Sequence, residues 1–228
     1  TDVPASFVGN AVAISGDTAV ISDSSDDEGA EGSGAIYIYT RTNNIWTFRQ
    51  KIKASDSAEY DYFGFSVALD NDTIVVGAPN ADGEKIPFES WSESNQGAVY
   101  VFTRSGNTWT EVSKLVASDR QPDKRLGYSV AIEDTTILVG APGDNEGAYS
   151  SGAAYLFELV DNNWNEVQKL KASSIQTNAE FGYSVALDGD NLIIGAYKHP
   201  FINLTDGDLD PAGAAFVFTR ENNIWQEE

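Results

Sequence analysis

The chain has 228 residues, 41% hydrophobic and 11% aromatic, enough for one large domain or two small ones, and its apolar runs are far too short for a membrane-spanning helix. Fourteen Lys and Arg against 35 Asp and Glu leave a net charge of −21, which repels phosphate backbones and excludes nucleic acid, while cations and basic proteins fit better. Cysteine is absent and His199 is the only histidine, so disulfides, thiolate metal sites and multi-histidine sites are excluded, as is any histidine-based triad not built on that residue.

Four segments align with one another. The first phrase of each is Phe7-Val-Gly-Asn-Ala-Val-Ala-Ile14, Phe63-Gly-Phe-Ser-Val-Ala-Leu69, Leu126-Gly-Tyr-Ser-Val-Ala-Ile132 and Phe181-Gly-Tyr-Ser-Val-Ala-Leu187. A second phrase follows at Thr18–Ser22, Ile74-Val-Val-Gly-Ala-Pro79, Ile137-Leu-Val-Gly-Ala-Pro142 and Leu192-Ile-Ile-Gly-Ala-Tyr197. The third is Gly34-Ala-Ile-Tyr-Ile-Tyr39, Gly97-Ala-Val-Tyr-Val-Phe102, Gly152-Ala-Ala-Tyr-Leu-Phe157 and Gly213-Ala-Ala-Phe-Val-Phe218, and the fourth starts at Trp46, Trp109, Trp164 and Trp225. Each phrase is short, rich in Val, Ile, Tyr, Phe and Trp, and bounded by Gly, Asn, Asp or Pro, which predicts a strand. No stretch carries a helical period.

Short polar links join the first phrase to the second and the third to the fourth, as tight hairpins require. Each unit is therefore predicted to be a four-stranded antiparallel meander. A meander that is apolar on both faces cannot bury itself, but copies arranged face to face about an axis bury one another. The expected fold is an all-β propeller with blades at about 7–56, 63–119, 126–174 and 181–228, the last truncated at Trp225-Gln-Glu-Glu228. The one Trp per repeat is expected to fill the wedge between blades rather than to bind anything.

Phe-Gly followed about a dozen residues later by Gly-Ala-Pro resembles the FG-GAP repeat of the integrin alpha-subunit propeller and of many secreted prokaryotic proteins, and the prokaryotic form is the closer likeness. The resemblance implies a propeller module, secreted or at the cell surface, that serves adhesion, protein recognition or surface assembly without catalysis. Its partner would be another protein or a cell-surface ligand. Integrin-type repeats often hold calcium between Phe-Gly and Gly-Ala-Pro, but here that space holds only a hairpin turn, too short to wrap the ion with six or more oxygens. Integrin-type rings close with seven blades, so the chain is expected to be a piece of a larger ring or to be completed by copies that associate through unclosed edges.

The links after the second strand and between blades are long and acidic, and function normally sits in such loops. Asp206-Gly-Asp-Leu-Asp210 offers Asp206, Asp208 and Asp210 as alternate carboxylates for Ca2+. Asp23, Asp26, Asp27 and Glu28 form a denser cluster, which must either recruit a cation or repel itself into mobility, and Asp144 with Glu146 is a smaller one. Trp91, in the longest insertion beside Phe88 and Glu89, is a candidate ligand contact. A carbohydrate-binding or carbohydrate-cleaving propeller is the alternative reading, because two carboxylates suffice for glycoside hydrolysis.

Overall fold

The computed structural model describes residues 8–81, 95–202 and 209–228. Strands β1 (Val12–Ser15), β2 (Thr18–Asp23), β3 (Ala35–Thr42) and β4 (Ile45–Ile52) make the first sheet, and β5 (Ser66–Asp70), β6 (Thr73–Ala78), β7 (Ala98–Ser105) and β8 (Thr108–Leu115) the second. The third holds β9 (Ser129–Glu133), β10 (Thr136–Ala141), β11 (Ala153–Val160) and β12 (Asn163–Leu170), and the fourth holds β13 (Phe181–Asp188), β14 (Asn191–Ala196), β17 (Ala214–Glu221) and β18 (Ile224–Glu227). A small extra hairpin, β15 (Pro200–Ile202) with β16 (Leu209–Pro211), stands in the last long link. All pairings within the four sheets are antiparallel and follow chain order, the fourth sheet passing over the β15–β16 hairpin to pair β14 with β17, and the fold is a β-propeller with four blades among the described residues.

The turns follow from their residues. Asn43-Asn44, Asp161-Asn162 and Asn222-Asn223 each have both φ angles positive, between 51° and 63°, the primed-turn geometry that matches strand twist and that Asn and Asp tolerate best. The links between first and second strands are the two-residue turns Gly16-Asp17, Asn71-Asp72, Asp134-Thr135 and Gly189-Asp190. At the position where integrin-type repeats carry a longer loop, each blade therefore has a two-residue turn.

The inner strands β1, β5, β9 and β13 lie side by side in chain order. Between successive blades lie three apolar cores. Val20, Ile36 and Ile38 of blade one meet Ile74, Val76, Tyr100 and Phe102 of blade two, and the other face of blade two, Val75, Val99 and Val101, meets Ile137, Val139, Tyr155 and Phe157. Leu138, Ala154 and Leu156 then meet Leu192, Ile194 and Phe218. Burying each such side chain is worth about 1.5–3 kcal/mol, so these interfaces hold the blades together. Trp109 and Trp225 are buried and Trp164 packs against the second core, as expected of wedge-fillers. Trp46 departs from that expectation: it is 39% exposed on the outer face of blade one, under the Arg41 guanidinium, because no described blade covers that face.

Candidate functional site

Among the described residues, the loops after the second strands and the links between blades share one face, and Asp23, Asp26, Asp27, Glu28, Asp144 and Glu146 lie there. They do not converge on a common point. In blade one, Asp26 is buried and receives Lys51 Nζ at 2.7 Å, Lys53 Nζ at 3.4 Å and the Tyr37 hydroxyl at 2.9 Å. Glu28 takes the same Lys51 ammonium at 2.5 Å. Asp27 Oδ1 accepts the Gly32 N–H and Asp23 Oδ1 the Ser25 N–H, bonds that shape the loop.

Blade three repeats the arrangement with more members. Asp144 Oδ2 lies 2.9 Å from Lys124 Nζ, 2.8 Å from Lys169 Nζ and 2.9 Å from the Tyr155 hydroxyl. Asp119, from the link after β8, takes both ammonium groups at 2.7 and 2.6 Å, and Glu146 takes Lys169 and Lys171 at 2.7 and 2.6 Å. Three carboxylates thus face three ammonium groups, and the network is neutral. Asp144 and Lys124 are both fully buried, which is tolerable only because every charge is paired and hydrogen-bonded.

Of the acids offered above to a metal ion, Asp26, Glu28, Asp144 and Glu146 face lysine ammonium groups, and Asp23 and Asp27 accept loop N–H groups. The clusters at Asp26 and Asp144 do recruit a cation, but it is the lysine of their own blade's fourth strand, whose ammonium reaches the loop along the buried tyrosine ring. Among the described residues no three His, Asp or Glu form a group that could hold a metal ion. Asp210 lies in β16, paired with Phe201. Asp206, Asp208 and Trp91 lie outside the described residues.

The titration shifts follow from the same geometry. Burial pushes the Asp144 carboxyl up, but Lys169 and Lys124 more than reverse this and hold it at about 2. Burial likewise raises Asp26 and Asp119, and their lysine partners bring both below the usual carboxylate range. Burial and then the Asp144 charge push the Tyr155 hydroxyl far above its ordinary value, so it stays a donor. A carboxylate with a depressed folded-state pKa stabilises the fold above its ordinary pKa of 3.8 and loses that contribution as pH falls toward its folded value. Urea melts from about pH 5 to about pH 2 are therefore expected to show a steep loss of stability below about pH 4. Asp144→Asn is expected to flatten the curve.

The motif varies from blade to blade in register. The carbonyls of Asp26, Ala81, Asp144 and His199 each accept the N–H of the glycine that opens the third strand, so these four residues are structurally equivalent. Blade two has Ala81 at this position and keeps only Tyr100 and Lys114 around Asp56, at 2.8 and 2.5 Å. In blade four His199 Nε2 lies 3.0 Å from Ser174 Oγ, with the ring edge-on to Phe216. The lysine and tyrosine partners carried a legible signal, Tyr37, Tyr100 and Tyr155 with Lys51, Lys114 and Lys169 at constant repeat positions, but only alternation and packing show that they point at the acids.

Beside the blade-three network opens a cleft of about 320 Å³, lined by Tyr128, Tyr149, Tyr183, Arg125, Asp123 and Glu180 among others. Its floor continues an aromatic ladder in which the tilted rings of Phe65, Tyr128 and Tyr183 follow one another across three blades at 4.8 and 5.0 Å between ring centroids. Tyr149 is 69% exposed at the rim. Asp123 is held by Asn95 and Glu180 by Lys198, whereas Arg125 makes no ion pair among the described residues. Three tyrosines and an arginine are the residue types that anchor binding interfaces.

The FG-GAP repeat pattern matches residues 6–39, 46–102, 109–157 and 164–218. The chain belongs to the FG-GAP repeat family. All but the first matched stretch begin in the fourth strand of one sheet and end in the third strand of the next. The FG-GAP sequence unit is thus offset by one strand from the blade, and each such match spans a blade-to-blade junction. No curated protein matches the chain.

Proposed function

We propose that this FG-GAP propeller is a non-catalytic extracellular module that recognises another protein or cell-surface ligand through its loop face. The observation that carries the reading is the tyrosine and arginine cleft set on a buried, charge-neutral network. Such a base keeps the loops in one arrangement, so little ordering entropy is lost on binding. Family membership supports it too, because FG-GAP repeats are generally non-catalytic and usually occur in extracellular proteins. Carbohydrate binding is the second reading, favoured by the same three cleft tyrosines, Tyr128, Tyr149 and Tyr183, since ring faces also receive sugars.

Probing arrays of surface proteins and of glycans with the labelled chain separates the two. Binding to a protein that Tyr149→Ala or Arg125→Ala weakens at least about tenfold supports the first reading. Binding to a glycan with the same sensitivity supports the second. Binding that both variants leave intact removes the cleft from either. Repeating the measurement in chelator tests calcium dependence, for which Asp206, Asp208 and Asp210 are the proposed ligands.

A further inference from the structure

Cations on the loop face of this protein stand over tyrosine rings beside carboxylates. Lys51 lies 5.5 Å from the centre of the Tyr37 ring, Lys114 5.3 Å from that of Tyr100 and Lys169 5.3 Å from that of Tyr155. Each of these ammonium groups also has a carboxylate oxygen aimed at it, from Asp26, Asp56 or Asp144, at 2.5–2.8 Å. Lys198 repeats the pattern over Tyr197, paired with Glu180. A ring face attracts a cation through its quadrupole, and a negative charge close by adds to the attraction.

The cleft over blade three has the rings and the carboxylates without the cation. Tyr128, Tyr149 and Tyr183 line it together with Asp123 and Glu180, and among the described residues no ammonium or guanidinium stands over any of the three rings. The Tyr128 and Tyr183 rings are tilted 46° to one another, two walls of a wedge, and Tyr149 is exposed at the rim. Blades two and four pack on either side of blade three, and the volume of about 320 Å³ is at the small end of the range for small-molecule sites. One oxygen of each carboxylate is already taken, Asp123 by the Asn95 amide and Glu180 by Lys198. A quaternary ammonium, which donates no hydrogen bond, needs only the ring faces and that charge.

Arg125 supplies the other half of the site. Its guanidinium lines the same cleft, where it opposes a ligand that is only a cation, while the two carboxylates and a net charge of −21 oppose one that is only an anion. Burial and then the Tyr183 hydroxyl hold the Tyr128 hydroxyl well above its ordinary value, and of the two charges acting on it Glu180 counts for more than Arg125. The wedge of rings is therefore neutral and favours the cationic end of a zwitterion, leaving the anionic end to the guanidinium, which binds phosphate bidentately. We infer, building on the reading of this cleft as the recognition site, that it takes a diester-linked phosphocholine group, the quaternary ammonium against Tyr128, Tyr149 and Tyr183 and the phosphate on Arg125.

Glycerophosphocholine, the soluble neutral diester, is the probe, titrated into the 228-residue chain and followed by NMR of the tyrosine ring signals. A Kd of about 0.1–1 mM is expected. Choline, which lacks the phosphate, and glycerophosphoethanolamine, which has a primary ammonium, should each bind at least about fivefold more weakly. Tyr149→Ala should weaken glycerophosphocholine and choline alike, whereas Arg125→Ala should weaken glycerophosphocholine to the level of choline and leave choline no weaker. Asp190→Asn, which removes a charge from the β13–β14 turn on the opposite face, should change neither. Sedimentation with phosphatidylcholine vesicles and capture on albumin carrying phosphocholine then tell a lipid headgroup from the same group on another carrier, and capture by neither overturns the inference. So does an equal response to glycerophosphocholine and glycerophosphoethanolamine, or a response that survives both cleft substitutions in variants that melt like the parent. Tyrosine signals that stay still up to about 20 mM overturn it as well. If the chain then still binds an array ligand through Tyr149 and Arg125, only the ligand class falls, whereas array binding indifferent to both substitutions removes the cleft itself.

Discussion

Asp144→Ala is expected to lower stability by about 3 kcal/mol, because removing one partner from a buried ion pair leaves the other charge uncompensated. Lys124 has no solvent exposure and would be left with Asp119 as its carboxylate partner, shared with Lys169, which also keeps Glu146. For a chain of this size the loss corresponds to a fall in Tm of about 6–12 °C. Asp27→Ala is the internal comparison: Asp27 is an exposed loop acid whose carboxylate accepts one backbone N–H, and its loss should cost about 1 kcal/mol. Thermal and urea melts of the two variants decide the matter. Equal shifts would mean that the network's charges are worth no more than a surface hydrogen bond, and the view of the loop face as a fixed platform would fall with them.

Gly140→Ala is expected to cost about 3 kcal/mol or more, at the upper end of overpacking penalties, because the added methyl would sit 1.9 Å from the Gly182 carbonyl. The obstacle is backbone from the next blade, so no side-chain rotation relieves it and the two blades must separate. Gly195→Ala places the same methyl at the same repeat position, but its one close neighbour is the hydroxyl of the Ser184 side chain, and no backbone atom comes nearer than 3.7 Å. At micromolar concentration its stability should stay within about 1 kcal/mol of the parent, because Gly→Ala also removes freedom from the unfolded chain. If Gly195→Ala proved as damaging as Gly140→Ala, the cost would come from the serine that faces each glycine rather than from the Gly182 carbonyl of the next blade.

The repeat made the fold legible. Four aligned repeats mark the strands, with Phe-Gly or Leu-Gly in three of them, Gly-Ala-Pro in two and a Gly-Ala start to the third strand in all four, and Asn and Asp in the links mark the primed turns that the chain adopts at Asn43-Asn44 and Asp161-Asn162. The acids of the loop face were legible as a cluster but not in their role. Asp26 and Lys51 are 25 residues apart and Asp144 and Lys169 equally so, a separation over which composition cannot distinguish an acid awaiting a metal from one already paired. The extra hairpin β15–β16 was unmarked because its strands are only three residues long. Arg125, exposed in the cleft and without an ion pair among the described residues, carried no motif at all.

The one-dimensional pattern by itself determined the strand order, the hairpin turns and the face-to-face stacking, because those depend on local chemistry and on a period that repeats in register. Which charges neutralise which, where the cleft opens and which blade faces stay uncovered were decided only by the tertiary structure. Ion pairing depends on distances of a few ångströms between residues brought together from different strands and links. Burial of Leu156 against exposure of Val217, two equivalent apolar residues in equivalent strands, depends solely on whether another blade lies against them.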